Sequence, residues 1–234
     1  MIISALLTIL GLSLFETVSS IDNAIINAEV LHTMEPKARR WFLTWGFLFS
    51  VFIARGLLPL IIISIFKSQT ALYIFAGLFL VLLFLQWFFD KEESILLKFI
   101  EKFFMKRGFS SDTSKIIFLE VIDFVFSVDG VIGAFAFTLS IPLILIGNGL
   151  GAFFVRRLTV GNIARIKKYV YLKNGAMYSI LVLGIIMILQ SFHYDIPEYV
   201  SPSATFIIIG FFFLKSKLGL STNKIYGHKV PRRI

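Results

Sequence analysis

The chain has 234 residues, 57% of them hydrophobic and 16% charged, against about 25% charged in a soluble domain. It has no cysteine, which excludes disulfides, thiolate metal ligands and thiol catalysis. A net charge of +9 invites a nucleic-acid partner. The basic residues, however, lie between long apolar runs, so the expected partner is a lipid bilayer and not nucleic acid.

A membrane-spanning helix needs about 20 mostly apolar residues, and seven stretches fit. The first, 1–30, is interrupted by Glu16-Thr-Val-Ser-Ser20-Ile-Asp22-Asn23. No basic segment precedes it and no cleavage site follows, so a removed signal peptide is not expected. The second covers 41–66 and the third 70–89. Residues 90–114 alternate charges with Phe and Leu and read as an amphipathic helix on the membrane face. The fourth, 115–139, carries Asp123-Phe-Val-Phe-Ser127-Val-Asp129-Gly130. The fifth starts at Pro142, a good first-turn residue, and ends near 158. The sixth covers 175–192 and the seventh 204–220, before a basic tail at 221–234. The expected fold is an all-α, polytopic membrane helix bundle: seven transmembrane helices in a single domain, 1–234.

Of the 23 Lys and Arg, all but Lys67 and Arg55 fall on one side of these spans. That bias puts the N-terminus outside and the C-terminus in the cytoplasm, in a plasma (inner) membrane. Spans one to three (1–89) and four to six (115–192) then run in opposite directions. They share more than their acids. Gly46 precedes Arg55 by nine residues, as Gly147 precedes Arg156, and Phe52-Ile-Ala-Arg55 parallels Phe153-Phe-Val-Arg156. A 3+3 inverted repeat plus one extra helix is a transporter architecture.

Both motifs read acid, five residues, Asp, with a Ser two places before that Asp. A charge at a helix centre costs roughly 2.5–3.5 kcal/mol on insertion scales, so intramembrane acids are functional candidates. At about 100° per residue, Glu16, Ser20, Asn23 and Asn27 share one face, as do Glu120, Asp123, Ser127 and Gly130. Asp22 and Asp129 point elsewhere unless the helices break near the Ser and Asp. The hydroxyls and amide of the first motif and Gly130 in the second favour such breaks. Gly130 makes the second motif the one expected to bend, and Asn23 makes the first the one expected to hold an ion. Carboxylate, amide and hydroxyl oxygens suit Mg, Ca or Mn ions.

Arg55, deep in its span before Pro59, is positioned to neutralise a motif acid. Arg156, near a span end, reads as a snorkelling residue. Gly147-Asn148-Gly-Leu-Gly151 reads as a close-packing face to which Asn148 adds an oxygen. Glu120 has no counterpart in the first motif and lies near the cytoplasmic end of its span. Enzyme signatures such as His-Glu-x-x-His and Gly-x-Ser-x-Gly are absent, so neither an enzyme nor a prosthetic group is expected.

Glu16…Asp22-Asn23 and Asp123…Ser127-Val-Asp129 in this arrangement resemble the TerC family of membrane proteins, within the LysE-like exporter superfamily. The likeness runs over about 6–217. One departure is Gly130, where that family often has Ser. The resemblance implies metal-ion export, manganese above all, and links to tellurium resistance. It implies Glu16, Asp22, Asn23, Asp123 and Asp129 as metal ligands, with Ser20, Ser127, Glu120, Asn148 and Arg55 as further lining. The expected function is a secondary transporter exporting a divalent cation, manganese by that resemblance, as substrate and not cofactor. Export of a cationic amino acid, a non-transporting assembly factor and a homo-oligomeric state stay open alternatives.

Overall fold

The computed structural model describes residues 2–89, 111–161 and 168–226; the side chains of residues 22, 54, 158–161 and 220–226 are outside that description. The amphipathic segment expected at 90–114 falls almost wholly outside the described residues, and so does the end of the basic tail.

The described residues form eight helices and no strand. These are α1 (Ile2–Ser19), α2 (Ile21–His32), α3 (Pro36–Ile65), α4 (Gln69–Phe89), α5 (Asp112–Ala134), α6 (Ile141–Gly161), α7 (Leu172–Ser191) and α8 (Val200–Tyr226). The break expected in the first motif is present. Ser20, with φ −87° and ψ 12°, interrupts the helix between α1 and α2. The break expected at Gly130 is not, because α5 runs unbroken through it. A single Gly whose neighbours on both sides propagate the hydrogen-bond ladder costs about 1 kcal/mol and does not by itself stop a helix.

Among the described residues five helices, not seven, are long and apolar enough to cross a membrane: α1, α3, α4, α7 and the 200–219 part of α8. The difference lies in α5 and α6, which hold the polar site. Glu120, Asp123 and Asp129 dilute the apolar run of α5, and the side chains of α6 are described only from 141 to 157, one residue short of an 18-residue span. The two are joined by the 135–140 turn as a hairpin, packed against α1 and the middle of α3.

The most extensive packing joins α4 to α7, α1 to α6 and α7 to α8. Leu72, Ala76 and Leu80 meet Ile180, Leu183 and Met187 in a core that continues to Leu12 and Phe15 of α1. Outward-facing Trp45, Phe52, Leu82, Phe88, Ile207 and Phe211 stay exposed. Without water outside there is no penalty for such a surface, and association rests on close fit. Gly147, one turn before Gly151, lets α6 approach Leu12 and the Ile9 carbonyl of α1, the packing that the glycine run predicts.

One feature of α3 has no sequence signature. Phe42–Gly46 and Ser50–Leu57 are wound as π-helix, with wider i→i+5 turns. Pro59 follows, and it has no N–H to offer the carbonyl four residues back, that of Arg55.

Candidate functional site

Glu16 stands in the last turn of α1 and is wholly buried. Its Oε1 accepts from Arg55 Nε at 3.0 Å, Arg55 Nη2 at 2.6 Å and Ser20 Oγ at 3.2 Å. The π-turn aims that arginine. Five residues on an α-helix would set Ser50 and Arg55 about 140° apart, whereas an i→i+5 turn returns them to one face. Arg55 Nη1 accordingly donates to Ser50 Oγ. The other carboxylate oxygen, Glu16 Oε2, has no partner. It lies against the Cα of Gly130, where any Cβ would collide with it.

Asp123 is held in a parallel way. Its Oδ1 accepts from Asn23 Nδ2 at 2.5 Å and Asn27 Nδ2 at 3.0 Å. Arg156 Nη2 lies 3.8 Å from Oδ2, an ion pair beyond hydrogen-bond length. Arg156 is fixed instead by α3. Its Nη1 donates to the Phe42 carbonyl at 2.7 Å, and its guanidinium lies over the Phe42 and Phe47 rings, 4.6 and 5.3 Å from their centroids. The expected snorkelling is thus corrected. Two rings and a carbonyl inside the bundle outcompete the interface for this cation.

The two motifs cross reciprocally. The residue seven after Glu16 is Asn23, which holds Asp123. The residue seven after Asp123 is Gly130, which abuts Glu16. The longer acid meets the residue without a side chain, and the shorter acid meets an amide. Gly130 is therefore the complement of Glu16 and not a weakened copy of Asn23. Its expected bending role is replaced by one of space.

The remaining expected site residues divide. Ser20 binds Glu16 as above. Ser127 Oγ donates to the Asp123 backbone carbonyl, a bond within the helix. Asp129 is half-buried and accepts the Gly130 N–H at 2.9 Å. Asn148 is fully buried with neither amide atom partnered, and both carboxylate oxygens of Glu120 are buried without a partner. The Asp22 side chain lies outside the described residues. Asn27, on the predicted stripe but not in the ligand set, turns out to grip Asp123. Ser50 and the Phe42 carbonyl enter only through the π-turns, which the sequence does not announce.

A small cavity of about 20 Å³ lies between the halves. It is lined by Asn23, Asn27, Ser50, Arg55, Asp123 and Arg156, among others. That volume admits about one water-sized occupant. Asn23 Oδ1 and Asn27 Oδ1 in its wall have no partner. Among the described residues no three His, Asp or Glu side chains gather as a metal cluster. Each of the two central acids is matched with an arginine instead.

A family model described as "Protein of unknown function (DUF475)" matches residues 21–71 and 109–223, more than half of the chain. The chain belongs to the DUF475 family. A curated relative, the "Uncharacterized membrane protein YceF" of Bacillus subtilis (strain 168), is 30% identical over 204 residues, covering 85% of this chain and 76% of the relative. No solved structure matches. The TerC resemblance is thereby corrected, since DUF475 is a different family. Short acid-and-hydroxyl motifs in apolar helices answer a chemical need that many membrane proteins share, and they do not fix descent. With its long apolar helices, this DUF475 chain is a membrane protein.

Proposed function

We propose that the protein is a secondary transporter, not an enzyme, for a hard divalent cation. Glu16, Asn23, Asn27 and Asp123 supply the oxygens, and Arg55 and Arg156 occupy the acids when the cation is away. The observation that carries this reading is the matched pair of buried acids, each with its own arginine, beside an ion-sized cavity that Asp123, both arginines and unpartnered amide oxygens line. A buried carboxylate is held charged only by a partner. A tethered guanidinium keeps the site tolerable when empty and yields to a divalent ion. The preference for manganese and for export came from the TerC resemblance alone and goes with it. The donor chemistry keeps the class. The cavity has no room for an amino acid, which disfavours that alternative.

The same correspondence supports an inverted repeat. Glu16–Arg55 joins the first and second helices of one unit, and Asp123–Arg156 joins those of the other. The basic side of the molecule is taken as cytoplasmic, and the α5–α6 hairpin leaves from it and returns to it.

Flux of Mn²⁺, Mg²⁺ and Ca²⁺ into liposomes holding the purified protein tests the proposal. Wild type should move at least one ion above empty liposomes, and Glu16→Gln and Asp123→Asn should each abolish that flux. Flux that survives both substitutions, or none from wild type with Mn²⁺, Mg²⁺ or Ca²⁺, overturns the reading.

A further inference from the structure

The geometry points to Glu120 as a proton-exchange site that couples proton movement to the cation at Asp123; this rests on the transport reading above. Glu120 lies three residues before Asp123 on α5, one turn away on the same face. Both its carboxylate oxygens are buried and without a hydrogen-bond partner. Oε1 occupies the place a Cβ on Gly46 would take, beside the Phe42 ring. That is apolar ground with no donor, where a neutral carboxylic acid is tolerated and an isolated carboxylate is not.

The charged groups that act on Glu120 are Asp123 on its own helix and Arg156 from α6. The turn of α3 against it offers Gly46 and Phe42, and α2 turns the uncharged Asn23 and Asn27 toward the Asp123 end of α5. Arg156 therefore acts electrostatically on two acids. It is not hydrogen-bonded to Asp123 at 3.8 Å, and its anchor is the Phe42 carbonyl on the same stretch of α3 that receives Glu120. A divalent ion at Asp123 repels the guanidinium, and the neighbouring acid able to receive it is Glu120. The Glu120 O–H bond then breaks, the proton leaves to water, and Arg156 balances the carboxylate left behind. When the cation departs, Arg156 returns to Asp123 and Glu120 takes up a proton. Cation and proton thus occupy the protein alternately, through one shared arginine.

Two measurements on purified full-length protein test this. Infrared titration of the protein in detergent, without any metal, should show the carbonyl stretch of a protonated buried acid that Glu120→Gln lacks. Adding Mn²⁺ to wild type should reduce that band. In liposomes, a pH gradient should drive Mn²⁺ accumulation by wild type. Glu120→Gln should lose the gradient-driven part while retaining Mn²⁺ exchange at equal pH. A Glu120→Gln protein that accumulates Mn²⁺ along the pH gradient as wild type does, or a wild type with no such band, overturns the inference and leaves the transport reading standing. A wild type that exchanges no cation removes both. An unchanged gel-filtration profile shows that Glu120→Gln is folded, and Glu120→Asp, which keeps a titratable group, should keep part of the coupling.

Discussion

At the scale of single residues, the site is built from fits of one atom against another. Gly130 has no room for a methyl group beside Glu16 Oε2. Gly130→Ala should cost about 1–3 kcal/mol, the usual range for overpacking a filled interior, read as a lowered midpoint of thermal denaturation in detergent. Gly130→Asn should be worse alone but partly rescued by Glu16→Asp, because that pair rebuilds the Asp–Asn match found at Asp123 and Asn23. A double-mutant cycle measures the rescue as a coupling energy. Much of this scale was legible in the sequence. The 100° arithmetic grouped Glu16, Ser20, Asn23 and Asn27, and all four are buried. The role of Gly130 was not legible, because it depends on which atom of another helix stands opposite. Arg156 was misjudged for the same reason. Its proximity to a span end was visible, but the carbonyl and rings that draw it inward belong to α3.

At the scale of elements, α3 is the helix on which both halves depend. It supplies Arg55 to Glu16 and holds Arg156 through Phe42 and Phe47. Removing one member of a buried pair strands the other, at a cost of about 3–5 kcal/mol, while removing both costs far less. Arg55→Met should therefore destabilise strongly, and the double variant Glu16→Gln with Arg55→Met should regain most of the loss, checked by the same denaturation assay. Ser50→Ala should loosen the aim of Arg55 and weaken cation flux more than it lowers stability. The interruption at Ser20 was readable from a run of hydroxyl and amide side chains that compete for backbone hydrogen bonds. The wide turns of α3 were not, since apolar residues and one Pro fit either winding. The unbroken α5 shows the opposite error, a Gly taken for a hinge where neighbouring packing keeps the helix.

At the scale of the whole molecule, the helical membrane bundle was legible because mean composition and long apolar runs survive any detail of packing. The number of apolar spans was not. The three acids that α5 places in the interior look from the sequence like tolerable impurities in a span, yet they take that helix out of the apolar set. A hairpin leaves and returns on one side, so the orientation does not depend on that count. The chain has no cysteine, which makes it testable directly. A cysteine placed at Ser68, between α3 and α4, should react with an impermeant thiol reagent in intact cells, and one at Lys168 only after the membrane is opened. The pairing of each acid with a tethered arginine has an electrical consequence. In the proposed transport cycle the site without cargo carries no net charge from these four residues, so these residues do no work against the membrane potential on its return. Moving one elementary charge through 100 mV involves about 2.3 kcal/mol. These four residues therefore add voltage dependence only to the loaded half of the proposed cycle.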